Sequence, residues 1–209
     1  MRWFEDTAKA KDSLFFFIAA ALSILVPTPG RFAFGFIVLV LFNLHVIISL
    51  LFERLLRLLK LDALKNVLML SEIISLTVLF KQLLMLICPI AALTLGFIIY
   101  LPACSSTLIS LLFIQTKPLL KDDLRKKLLL TGSFSLIALF FFFVRDALGY
   151  GTLTFIAHKT IVALPLFSSG ETMFSFLATS PGAFVLLALF FALYLFVSDT
   201  LLRVHRSVA

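Results

Sequence analysis

The sequence has little charge. Asp, Glu, Lys and Arg make up 14% of its 209 residues, where average protein usage is about 25%. A chain of this length so poor in charge cannot dress its surface for water, which excludes a soluble globular domain. Cysteine is nearly absent, with Cys88 and Cys104 alone, too few for the disulfide framework of a small secreted domain. Gly-rich phosphate loops and the patterns HExxH, GxSxG and CxxC are all missing. No recognisable hydrolytic, nucleotide-binding or dithiol constellation is left.

What the chain has instead is apolar length. Hydrophobic residues make up 62%, with 25 Phe, and the bilayer is the solvent that accepts such a composition. A spanning helix needs about 20 apolar residues. Six candidate segments follow: a short one from Ser13 to Val26, then Phe32 to Phe52, Val67 to Ile87, Ile90 to Ile114, Leu128 to Val144 and Gly182 to Ser198. Between them lie two basic stretches, Glu53 to Asn66 and Gln115 to Lys127, and a less apolar one from Arg145 to Pro181. The expected fold is an all-α polytopic membrane protein with six transmembrane helices, forming one integral membrane domain over 1–209. No cleavable signal peptide is expected, because the run ending at Val26 passes into Pro27-Thr28-Pro29-Gly30 without a small-x-small site.

The net charge of +7 belongs to the loops. With both termini in the cytoplasm, 14 of the 18 Lys and Arg fall inside, and only Arg31, Lys81, Arg145 and Lys159 fall outside. That is the positive-inside bias. It argues for contact with membrane lipid and against nucleic acid, which needs basic residues gathered on a soluble face. Six spans divide into two halves of three, about 13–87 and 88–200, which such an odd number per half would invert across the membrane. Breaks near Pro27-Thr28-Pro29-Gly30 and Pro102-Ala103-Cys104 interrupt the first and fourth segments, a device of transport proteins built from inverted repeats.

Few residues inside the spans can carry chemistry. Glu72 is ionisable in hydrocarbon, which directs it to a cavity, a partner or an ion path; pairing with Lys81 or a headgroup-level position is the plainer alternative. Asn43 and His45 suit helix-to-helix hydrogen bonding. Cys88 and Cys104 are candidate metal ligands, but two thiols are half of the four that an iron–sulfur cluster takes. A free cysteine is also simply a small hydrophobe.

The stretch VRDALGYGTLTF, Val144 to Phe155, resembles the pattern R-E-x-x-G-x-G-T-L of the D/E-type membrane subunits of two related complexes. These are the sodium-translocating NADH:quinone oxidoreductase (Nqr) and the Rnf electron-transport complex. The match runs through Arg145, Asp146, Gly149, Gly151, Thr152 and Leu153. Pro181, Gly182, Ala183 and Phe184 are similar to the family's P-P-G-A-F opening of its last helix, and Leu95, Gly96 and Cys104 to its L-G…N-C stretch. The resemblance implies two inverted three-helix halves and a homologous six-helix partner of opposite topology. It also implies flavin-carrying neighbours and a place in the bacterial cytoplasmic (inner) membrane, with an iron–sulfur centre shared between the two subunits. The function implied is passage of electrons across the bilayer while the complex moves Na+ or H+. By the same resemblance Cys104 stands within one position of the second-half ligand. The first-half ligand has no counterpart: AALSILVPTPG carries Ala21 or Leu22 there, and Ala103 replaces the Asn before the second Cys. Cys88-Pro89-Ile90 resembles the missing C-P motif displaced to the end of the third span. A non-redox transporter or a scaffold subunit is the alternative that the residues leave open.

Overall fold

A computed structural model describes residues 20–105, 120–157, 160–166 and 174–208. The expected first span therefore lies partly outside the described residues, and so do both termini. The described part begins with a single π-helical turn, Ala21–Leu25, followed by helix α1, Phe32–Leu58. A tight reversal with Lys60 at φ 56° and a 3₁₀ turn, Asp62–Leu64, leads into α2, Lys65–Ile87. Next come the short helix α3, Pro89–Leu95, a 3₁₀ turn, Ile98–Tyr100, and one helical turn α4, Leu101–Cys104. Helix α5, Leu120–Tyr150, feeds an antiparallel hairpin of β1, Thr152–Ile156, and β2, Ile161–Pro165. A last 3₁₀ turn, Ser175–Ala178, precedes helix α6, Ser180–Val208.

Three helical stretches, Phe32–Leu58, Lys65–Ile87 and Lys127–Tyr150, are long and apolar enough to cross a membrane, and Ser180–Leu193 is a shorter apolar stretch. The protein is mostly helical, but it departs from the all-α expectation at the hairpin. TLTFI and IVALP pair in register from Thr152 with Pro165 to Ile156 with Ile161. Both are rich in the β-branched residues that suit a pleated surface. The basic stretch Gln115 to Lys127, expected as a loop between spans, is helix from Leu120 to Lys127. Asp122 and Asp123 precede Lys126 and Lys127 by four residues, the helix-favouring charge order.

The elements end where backbone chemistry requires. Cys88 precedes Pro89, which disfavours helical geometry, and it stands extended at φ −144°, ψ 84°, between α2 and α3. Within the expected span Ile90 to Ile114, whose last residues lie outside the described ones, α3 ends at Gly96 (φ 49°), well before Pro102. Gly151, at φ 65°, closes α5 with its N–H on Ala147 O at 3.1 Å and turns the chain into β1, a left-handed cap that favours glycine.

Helix α1 is the centre, packed on α5 along its length and on α2. It runs antiparallel to both: its start meets the end of α5, where Phe32 N–H donates to Asp146, and its end meets the start of α2 at Glu53 and Lys65. Phe42 stacks edge-on against Phe134 and Phe141 against Phe190, at 5.6 and 5.7 Å between ring centres. Gly35 lets α1 and α5 approach, for a Cβ there would overlap the Phe142 ring. Gly35→Ala is therefore expected to destabilise by about 1–3 kcal/mol through overpacking, against the usual sign of Gly→Ala in a helix. Gly132→Ala, on α5 with nothing within 4 Å of the added carbon, is the matched control and should melt at or above the wild-type temperature in detergent.

Candidate functional site

At the end of the bundle that carries the hairpin, Arg145 and Asp146 are both buried, at 1% and 0% exposure. Among the described residues Arg145 has no carboxylate partner. Its five N–H donors are spent on five backbone oxygens: Nε on Leu177 O at 3.0 Å, Nη1 on Leu25 O at 3.2 Å and Thr28 O at 2.7 Å, and Nη2 on Ala178 O and Thr179 O, both at 3.1 Å. Leu25 ends the π-helical turn and Leu177 and Ala178 end a 3₁₀ turn. The guanidinium thus holds the carbonyl ends of two broken helical turns, where the backbone dipole is negative.

Asp146 faces the other way. Its Oδ2 accepts from Phe32 N–H at 3.1 Å, Thr154 N–H at 2.8 Å and Thr154 Oγ1–H at 2.7 Å, and Oδ1 accepts from Thr152 at 3.3 Å. Thr154 Oγ1 in turn accepts from Ala33 N–H at 3.2 Å. Arg31 offers no side-chain cap to α1; Asp146 and Thr154 satisfy its first donors from across the chain.

The other motif residues join this centre. A Cβ on Gly149 would come within 2.9 Å of Ala178 N, and one on Gly182 would overlap Phe176 O. Both glycines therefore admit the turn Ser175–Ala178 against α5 and α6. Pro181 follows in the first turn of α6, whose Gly182 N–H is capped by Thr179 Oγ1 at 3.3 Å, a helix-start pairing. Arg145, Asp146, Gly149, Gly151, Pro181 and Gly182 form one joint between the start of α1, the end of α5 and the start of α6.

The two cysteines have different surroundings. Cys88 is buried beside the hairpin, with Sγ 3.9 Å from Thr160 O. Cys104 is exposed and ends α4. That turn packs on Ala21–Leu25 and on α1, so the two broken stretches meet. Ala21 and Leu22 lie on the first of them. Cys104 is thus the one thiol at the meeting, and it can give one of the four ligands a cluster takes. This donor set does not fit a centre to which each subunit brings two thiols. Among the described residues no group of three or more His, Cys, Asp or Glu converges as a metal site.

Glu72 lies in a polar seam between α1 and α2. His45, Ser49 and Glu53 follow one another at four-residue intervals on α1 and are buried. Across from them, His45 Nε2 meets Thr77 Oγ1 at 2.9 Å and Ile73 O at 3.3 Å, Ser49 Oγ–H donates to Glu72 Oε2 at 2.6 Å, and Lys65 Nζ reaches Glu53 Oε1 at 2.6 Å. Asn43 donates to Ser135 of α5 at 2.7 Å, so Asn43 and His45 both tie helices together. Lys81 does not pair with Glu72: its Nζ stands 5.1 Å over the Tyr100 ring. Sequence reasoning missed Ser49 and Thr154. Ser49 was detectable as the middle of the stripe 45, 49, 53 in an otherwise apolar run; Thr154 carried no signal outside the hairpin.

A cleft of about 620 Å³ opens at the hairpin end, lined by Pro29, Arg31, Phe34, Ile90, Thr94, Tyr150, Thr160 and Ile161. In it Arg31 lies 5.2 Å over the Tyr150 ring. Compared with known protein families, characterised proteins and solved structures, the chain matches none.

Proposed function

We propose that the chain is a membrane subunit of a redox-driven, ion-translocating electron-transport complex of the Rnf/Nqr type. The observation that carries this reading is the meeting of the two broken stretches, Ala21–Leu25 and Leu101–Cys104, beside α1. Each is followed by two long helices, α1 and α2 in one half and α5 and α6 in the other. Because α1 and α5 run in opposite senses, the halves read as a pair of inverted three-helix repeats, with six passes and broken first and fourth segments. The joint built by Arg145, Asp146, Gly149 and Gly182 gives the resemblance to the family's motifs a common structural purpose. The positive-inside bias supports cytoplasmic termini in this reading, and the resemblance supports a bacterial cytoplasmic membrane.

In this reading the partner is a homologous six-helix subunit of opposite topology, with flavin-carrying subunits nearby. Cys104 is the one cysteine on either broken stretch, too few on its own for a cluster. Affinity purification of the full chain from its native membranes in mild detergent is expected to bring down that homologue and flavin-containing subunits in fixed ratio. A monodisperse homo-oligomer without redox partners would overturn the reading in favour of a stand-alone transporter. Cys104→Ser is expected to leave both the partner set and the iron content per complex unchanged. Iron lost in step with this substitution would show that the partner completes a cluster on this single thiol.

A further inference from the structure

Within the seam between α1 and α2 one polar atom is left over. Glu72 Oε2 accepts from Ser49 Oγ–H at 2.6 Å, whereas Glu72 Oε1 is buried without a hydrogen-bond partner. No cation compensates it: among the described residues the ion pairs are those of Glu53 with Arg57 and Lys65. No Lys or Arg occurs from residue 45 to 53 on α1 or from 68 to 76 on α2.

We propose that Glu72 is a proton-binding site, a carboxylic acid carried in the α1–α2 seam with its proton on Oε1 and Ser49 donating to Oε2. An ionised oxygen here would have neither donor nor counter-charge, a cost of several kcal/mol in an apolar medium. A neutral hydroxyl at the same place costs far less, and Oε2 keeps its one donor in either state. A metal cation finds too few ligands. Glu72 and Ser49 offer three oxygens between them, where hard cations take about six or more.

The titratable and charged groups of the surrounding elements leave the site to Glu72. On α1, His45 uses Nδ1 on Leu41 O at 2.9 Å and Nε2 on Thr77, while Glu53 is held by Arg57 and Lys65. On α2, Lys81 is engaged by Tyr100. The stretch from Cys88 to Cys104 brings only Cys88, against Thr160, Tyr100 and the exposed Cys104. From Ser49 the seam continues one helical turn, about 6 Å, to Glu53, and ends at Arg57, whose side chain is 42% exposed. That gives the carboxyl a polar route toward the basic end of the α1–α2 hairpin. The inference rests on this seam alone and is independent of any redox partner.

The test uses dicyclohexylcarbodiimide on the full chain in its native membranes, with the site read by peptide mass spectrometry. The carboxyl O–H adds across one C=N bond of the carbodiimide, and acyl transfer to nitrogen leaves a stable N-acylurea with every atom of both reactants retained. Glu72 is expected to be modified at neutral pH, with the yield falling about tenfold per pH unit on the alkaline limb. Sodium salts at constant pH should not change it, and Glu72→Gln should abolish the adduct in that peptide. Absence of the adduct in wild-type membranes at every pH overturns the proposal. So does protection by sodium, which would make Glu72 a metal-cation ligand. Mapping the wild-type peptide keeps the test decisive if Glu72→Gln does not accumulate. Copurification of redox subunits can fail while this labelling succeeds, so the two readings fall separately.

Discussion

Arg145→Ala is expected to destabilise the protein by about 3–5 kcal/mol, the net worth of about two hydrogen bonds from a charged donor, which is a large part of the ~5–15 kcal/mol that holds a typical domain. The substitution strips the donor from five backbone oxygens at once, those of Leu25, Thr28, Leu177, Ala178 and Thr179. Each buried carbonyl left alone costs about 1–3 kcal/mol, although the two turns will relax and the costs will not add. Arg145→Lys keeps the charge but offers three donors from one point in place of a planar fork. It cannot span from Leu25 to Ala178, and should recover less than half of the loss. Thermal melting of detergent-solubilised protein, followed by size-exclusion recovery, reads both variants. A wild-type melting temperature for Arg145→Ala would show that the guanidinium is not what holds the two turns together.

Asp146→Ala is expected to cost about 2–4 kcal/mol, the worth of one or two charge-assisted hydrogen bonds. It removes the acceptor for Phe32 N–H, Thr154 N–H and Thr154 Oγ1. Asp146→Asn is the discriminating variant. Its amide oxygen can take the place of Oδ2 while the amide nitrogen faces Thr152 Oγ1, which can accept. Most of the stability should therefore return without the charge. Thr154→Ala combined with Asp146→Ala should cost clearly less than the sum of the two, because the residues are hydrogen-bonded to each other and cap neighbouring donors at the start of α1, Asp146 that of Phe32 and Thr154 that of Ala33. Strict additivity in the melting data would dissolve the network into independent contacts.

Much of the helical frame was legible in hydropathy and punctuation. Phe32 to Phe52 and Val67 to Ile87 were visible as apolar runs, and the prolines near Pro27 and at Pro102 marked interruptions. The start of α5 was harder. Asp122, Asp123, Lys126 and Lys127 read as a loop because they are charged, yet their spacing extends α5 by two turns beyond its apolar part. The hairpin was lost in a segment judged only by its lower hydropathy, although Thr152, Thr154, Ile161 and Val162 have the β-branching that suits strands. At the joint, the resemblance singled out Arg145, Asp146 and the glycines as a group. What they bind could not be read, since the partners of Arg145 are carbonyl oxygens, which every residue has. Glu72 stood out as a charge in a span; its solitude on Oε1 is a matter of three-dimensional packing.

The cap that Asp146 places on α1 also sets a clock. Phe32 N–H and Asp146 are 114 residues apart, and the ribosome adds about 5–20 residues per second. For roughly 6 to 23 s of synthesis, the first helix must exist with its leading amides unpaired and the preceding turn unclasped. A chain stalled or cleaved before Arg145 would carry every residue of α1 and α2 and still lack the two side chains that cap the start of α1 and clasp the turn before it. The second half of the protein thus acts toward the first as a late-arriving clamp, and the nascent hairpin of α1 and α2 is the state on which insertion factors and proteases would act meanwhile.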